Sequence, residues 1–144
     1  MGRVKQILLA EDNPADVYLL REAFSLQEEE FELTVLTDGE QAIEYIDSGG
    51  PGGQAATPDL IVLDLNLPKS DGSDVLKRIR EKPELRNTPV VILSSSDSNR
   101  DRQFAAELGA SSYITKPSDL DGFLGLGKTL LEFIEGAGRR ASSL

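Results

Sequence analysis

Four short apolar runs of the chain each end in residues able to do chemistry. Glu11-Asp12 follow Ile7-Leu8-Leu9-Ala10, and Asp64 follows Leu60-Ile61-Val62-Leu63. Ser94-Ser95 follow Val90-Val91-Ile92-Leu93, and Lys116-Pro117 follow Tyr113-Ile114-Thr115. Carboxylates, hydroxyls and an ammonium group thus emerge from separate apolar segments, and strands of one sheet would bring them to a single edge. Three carboxylates gathered there repel, by roughly 3 kcal/mol for a pair ~5 Å apart at an effective dielectric of ~20. A bound cation removes that cost. The chain has no Cys and no His, so every available side-chain carboxylate, hydroxyl or carbonyl donor is a hard oxygen, which suits Mg²⁺ or Mn²⁺. The same absence excludes disulfides, thiol chemistry, the usual zinc sites and His-based triads.

Each feature alone has a blander reading. An acidic pair after a strand is commonly a solvated loop or a helix cap, a strand-end serine bonds to backbone, and a lysine near a late strand is a surface charge. Convergence of all of them on one edge is what favours a site.

The elements that would position them can be read from the apolar pattern. Leu33–Leu36 adds a fifth candidate strand to the four runs above. Most of these runs lack polar alternation, as strands do when both faces of a parallel sheet are covered. Asn13 followed by Pro14 is an N-cap with proline at the first helical position, and Val17, Leu20 and Phe24 then fall on one face. Further helices are expected over 38–47, 72–81 and 100–108, the last stopped by Gly109, with a final helix from Ser118 to about Glu135. Alternating strands and helices with right-handed crossovers predict an α/β fold, a doubly wound, flavodoxin-like five-stranded parallel sheet of order 2-1-3-4-5 with helices on both faces. Ligands of such sheets sit at the carboxyl ends of the strands, near the switch between the first and third.

At 144 residues the chain is the size of one domain, expected to span 1–135 with a flexible tail from 136 to 144. The Gly-rich stretch from Ser48 to Thr57 is expected to be a flexible loop. No apolar run is long enough to cross a bilayer and no secretory signal precedes Glu11, so a cytoplasmic protein with no membrane partner is expected. A net charge of −10 argues against nucleic acid, whose phosphates need Lys and Arg.

The motifs Leu8-Leu9-Ala10-Glu11-Asp12-Asn13-Pro14, Leu63-Asp64-Leu65-Asn66-Leu67-Pro68 with Gly72, Pro89 to Ser95, and Gly109-Ala110 through Tyr113 to Lys116-Pro117 resemble the receiver domains of bacterial two-component response regulators. The resemblance covers nearly the whole chain. It implies that Asp64 is the phosphoacceptor, that Asp12, Asp64 and the backbone carbonyl of Asn66 bind Mg²⁺ (or Mn²⁺), and that Glu11 acts through water. It further implies that Lys116 reaches the phosphoryl oxygens, that Ser94 and Tyr113 form the switch, and that the Lys116–Pro117 bond is cis. Serine at 94 and glutamate at 11 are mild departures from the commoner threonine and aspartate; the donor and the charge are kept. The implied donor is the phosphohistidine of a sensor histidine kinase, and the implied output is contact with a downstream or phosphotransfer protein. Asp12-Asn13-Pro14-Ala15-Asp16 with the Ser-Ser-Ser strand end looks like the phytochrome-associated, single-domain subgroup, which would make the donor a phytochrome-type kinase.

Three other readings compete. A flavodoxin shares the sheet, but its phosphate loop is not acidic as Glu11 to Asp16 is. An aspartyl-phosphate phosphatase wants a second acid two residues after its nucleophile, where Asn66 stands. A pseudo-receiver would keep the fold as a binding module without the chemistry. Finally, a helical projection puts Leu120, Phe123, Leu124, Leu131 and Ile134 on the sheet-facing side and Leu126, Leu130 and Phe133 in a second stripe, which predicts a homodimer through the final helix.

Overall fold

A computed structural model describes residues 4–49, 53 and 57–142, with side chains up to 136. Most of the Gly-rich stretch and the last two residues lie outside the described residues. Five parallel strands, β1 (Lys5–Ala10), β2 (Phe31–Leu36), β3 (Leu60–Leu63), β4 (Val90–Ser94) and β5 (Ser112–Thr115), form one sheet in the order β2-β1-β3-β4-β5. Five helices alternate with them: α1 (Pro14–Ser25), α2 (Gly39–Ser48), α3 (Gly72–Glu81), α4 (Asn99–Glu107) and α5 (Leu120–Ser142). The expected fold class and strand order are those observed.

Both sheet faces are apolar because alternate residues of each strand feed different cores. Leu8, Ala10, Ile61, Leu63, Val90 and Ile92 meet α2 and α3 on one side. Ile7, Leu9, Leu60, Val62, Val91 and Leu93 meet α1 and α5 on the other. Local capping sets the helix starts at the strands' carboxyl edge. The Asn13 side chain accepts from the N–H groups of Ala15 and Asp16, Asp38 from Gln41, Asp71 from Ser73 and Ser98 from Asp101. Each cap satisfies a helix N–H that has no partner within its own helix.

The final helix differs from its sequence projection. Its buried residues are Phe123, Leu126, Leu130 and Ile134, whereas Leu120 is 56% exposed. The reason is Gly127. It is buried at one edge of this arc, and a Cβ there would collide with the carbonyl of Ala23 on α1. Hydropathy gives a glycine no weight, so the projection was centred on the wrong side of it. Leu126 and Leu130 are therefore core, Phe133 packs partly against the same cluster, and the second stripe does not stand free for a dimer. The helix also begins two residues after Ser118 and continues beyond Glu135, to Ser142. No helix among the described residues is long and apolar enough to cross a membrane.

Candidate functional site

Sheet register does the first part of the assembly. Ala10 pairs with Leu63, so the next residues, Glu11 and Asp64, leave neighbouring strands side by side. The N–H of Asp64 donates to the Ala10 carbonyl at 3.0 Å, and that of Glu11 to Leu36 at 3.0 Å. On the far side Ser94 pairs with Thr115, and the Lys116 N–H donates to the Ser94 carbonyl at 2.7 Å. The chain after Asp64 then turns back on itself. The N–H of Gly72 donates to Leu65 at 3.0 Å, and a Cβ at 72 would run into the backbone of Asp64 and Leu65, so only glycine lets α3 begin this close to the site.

These backbones bring together Glu11, Asp12 and Asp64, each offering a carboxylate oxygen within 4.8 Å of the others. Glu11 and Asp64 are buried and Asp12 is exposed. Lys116 Nζ lies 2.8 Å from Glu11 Oε1, 2.8 Å from Asp16 Oδ2 and 3.0 Å from Asp64 Oδ2. Backbone N–H groups occupy the second oxygens of Glu11 and Asp64: Asn13 donates to Glu11 Oε2 at 3.1 Å and Asn66 to Asp64 Oδ1 at 3.0 Å. The donor set is wholly oxygen, anionic and compact, and fits a hard divalent cation.

Burial and pairing act in opposite directions here. Desolvation pushes the Glu11 carboxyl up to about 7, and the hydrogen bond from Lys116 only partly offsets it. Burial alone would lower Lys116, but hydrogen bonds to Asp16, Glu11 and Asp64 together outweigh it and raise the ammonium above its ordinary value. Glu11 is less than 2% exposed, so the cost of its charge is a real property of this edge without a cation.

The structure thus gathers Glu11, Asp12, Asp64 and Lys116 as the apolar runs predicted. Ser94 lies fully buried at the end of β4, its hydroxyl oxygen accepting from Ser96 N–H at 3.3 Å. Tyr113 points elsewhere, its hydroxyl donating to the Ser96 carbonyl at 2.8 Å while Arg102 covers its ring at 4.7 Å. The Lys116–Pro117 bond is trans, against expectation; the described residues contain no cis peptide. Trans is the lower-energy form of an X–Pro bond by about 0.5–1 kcal/mol, and the long lysine side chain reaches Asp64 from it. The surface hollows lined by Glu40, Glu44 and Asp47, and by Tyr45, Pro58 and Leu85, include none of Glu11, Asp12, Asp64 and Lys116.

Residues 7–125 match the response regulator receiver domain. The chain belongs to the response regulator receiver family. This receiver is 37% identical over 132 residues to the response regulator Rcp1 of Synechocystis sp., covering 92% of this chain and 85% of Rcp1. Its fold is similar to that of the phosphorylated cyanobacterial phytochrome response regulator RcpA, with TM-score 0.84 and 40% identity over 91% of this chain and 94% of RcpA. The Mn²⁺-bound form of Rcp1 superposes with TM-score 0.79 and 35% identity, covering 90% and 93% of the two chains.

Sequence reasoning gave no role to Asp16 or Arg102 in this receiver. Asp16 reads as an ordinary acid in the first turn of α1. Its signals were membership of an acidic stretch with no phosphate-loop character and of the Asp12-Asn13-Pro14-Ala15-Asp16 run, neither of which assigns it a partner. Arg102, which donates to Thr115 Oγ1 at 2.7 Å beneath Tyr113, carried no signal at all.

Proposed function

We propose that this receiver accepts a phosphoryl group on Asp64 from the phosphohistidine of a sensor histidine kinase and signals by binding another protein. The observation that carries the reading is Lys116 Nζ at 3.0 Å from Asp64 Oδ2, inside a compact cluster of carboxylates. An ammonium at that distance can follow charge from the carboxylate onto a phosphoryl oxygen, as a mobile point charge does well. Asp12, Asp64 and the backbone carbonyl of Asn66 would hold Mg²⁺ or Mn²⁺, with Glu11 acting through water. The ion supplies charge neutralisation and orientation for the transferring group.

Asp64 contributes the attacking oxygen. An O–P bond forms, the P–N bond to the donor imidazole breaks, and its electron pair stays on the imidazole nitrogen, which takes a proton from solvent. Lys116 then serves a phosphoryl oxygen, while Ser94 turns its hydroxyl toward that group and Tyr113 leaves the Ser96 carbonyl. Similarity to the phosphorylated RcpA and the Mn²⁺-bound Rcp1 supports phosphorylation and divalent-cation binding for this receiver. The description of RcpA as a phytochrome response regulator supports a phytochrome-type kinase as donor. Phe104 on α4, 43% exposed, and Leu120 on α5, 56% exposed, offer apolar contact to a downstream protein or a second copy. A cytoplasmic setting follows from the same kinase–receiver pairing.

Incubation with acetyl phosphate and Mg²⁺ should add one phosphoryl group to the wild type, none to Asp64→Asn, and none after chelation. Acid-labile label on Asp64→Asn at the wild-type level would overturn the assignment. Steady turnover of phosphoesters would instead revive the phosphatase reading.

A further inference from the structure

The proposed chemistry leaves Asp16 unused, although its carboxylate is as close to Lys116 Nζ, at 2.8 Å, as that of Glu11. A lysine ammonium has three N–H donors. Here three carboxylate oxygens take them, from Glu11, Asp16 and Asp64. A phosphoryl oxygen can gain Lys116 only by displacing one of these. Glu11 and Asp64 also belong to the group close enough to share a cation, and Asp16 does not. A bound cation therefore loosens the hold of Glu11 and Asp64 on the ammonium and leaves that of Asp16 untouched.

Charge counting gives the same direction. With a divalent cation bound and the carboxylates of Glu11, Asp12, Asp16 and Asp64 all ionised, the edge including Lys116 carries one net negative charge. Without Asp16 it would be neutral. The placement is built in: Pro14 starts α1, and Asn13 Oδ1 accepts from the Asp16 N–H at 3.4 Å, fixing the first turn so that this side chain, 15% exposed, faces Lys116.

We infer that Asp16 is a positioning residue that brakes phosphoryl uptake, withholding the Lys116 ammonium from the phosphoryl group and adding a surplus negative charge beside Asp64. The inference rests on Asp64 being the phosphoacceptor. A purely structural Asp16, one that only complements the α1 dipole, would change melting behaviour and leave the labelling rate alone.

The test follows the initial rate of phosphoryl incorporation from acetyl phosphate at saturating Mg²⁺, by mass spectrometry on the full chain. Asp16→Asn should label about tenfold faster, the order expected when one charge-assisted hydrogen bond stops competing. Asp16→Glu should restore a rate near wild type. On a Lys116→Ala background Asp16→Asn should accelerate labelling only about twofold, because only the charge effect survives there. Asp16→Ser provides a second variant should the asparagine fail to melt cooperatively. Labelling at or below the wild-type rate in a folded Asp16 variant overturns the brake and leaves Asp64 as acceptor. No Asp64-dependent labelling in any form overturns both.

Discussion

Two partly buried cations of this molecule, Lys116 and Arg80, have opposite surroundings. Lys116 is held by side-chain carboxylates from β1, α1 and β3 ends, groups that can trade it for a metal ion or a phosphoryl oxygen. Arg80 is held by backbone. Its Nε donates to the Gly109 carbonyl at 2.9 Å and its Nη1 to those of Leu85 and Thr88 at 3.1 and 3.0 Å, tying α3 to the chain on either side of β4. Backbone carbonyls cannot be titrated or exchanged, and the planar guanidinium matches their fixed directions. A cation among carboxylates is poised to be reassigned; one among carbonyls is a fastener. Burial lowers the Arg80 pKa from its ordinary value, while carboxylates raise that of Lys116 despite burial.

Replacing each cation is the sharpest way to break this comparison. Lys116→Ala should cut phosphoryl incorporation by roughly 10²–10³-fold, the usual cost of losing one preorganised charge-stabilising donor. Its fold should survive, because Glu11 can take up a proton. Near-wild-type labelling of this variant would contradict the role given to Lys116. Arg80→Ala should do the reverse. Unfolding in urea should show a loss of about 1–3 kcal/mol, since the carbonyls of Gly109, Leu85 and Thr88 each lose a charged donor, with labelling of the folded fraction unchanged. Arg80→Lys should recover less than half of that loss, because an ammonium cannot fork between strands of carbonyls.

Glu11 sharpens the comparison through pH. Its folded value of about 7 lies above its ordinary 4.5, so between them the folded protein keeps a proton that the unfolded chain releases. Without divalent cations, stability should be fullest below about pH 4.5 with respect to this group and be lost as pH rises through 7. The decline should be on the order of 2 kcal/mol across that window. Mg²⁺ should cancel it, so the rise in melting temperature on adding Mg²⁺ at matched ionic strength should grow from pH 5 to pH 8. A flat metal effect over that range would show that the buried carboxylate is not what the cation relieves. Smallest of all should be Leu120→Ser on the exposed start of α5, within about 0.5 kcal/mol of wild type, whereas Leu130→Ala, in the core, should lose about 2–5 kcal/mol.

Much of the site is legible in the sequence. Glu11-Asp12, Asp64 and Ser94 stand at the ends of apolar runs that suit strands covered on both faces, Lys116 follows the shorter Tyr113-Ile114-Thr115, and a parallel sheet puts all such ends on one edge. Cap chemistry made α1 equally plain, because Asn13-Pro14 acts within its own turn. Composition alone dictated oxygen ligands.

What the sequence could not determine depends on close approach between parts distant along the chain. The phase of α5 was set by α1 pressing on Gly127, a residue without a side chain for any hydrophobic pattern to register. The third carboxylate on Lys116 comes from Asp16, 100 residues away, a pairing that no local pattern signals. Arg80 reads on a helical projection as another solvent-facing cation, until the chain on both sides of β4 folds over it. Strand ends and caps follow from local pattern; shared hydrogen-bond partners follow from packing, which a linear pattern does not encode.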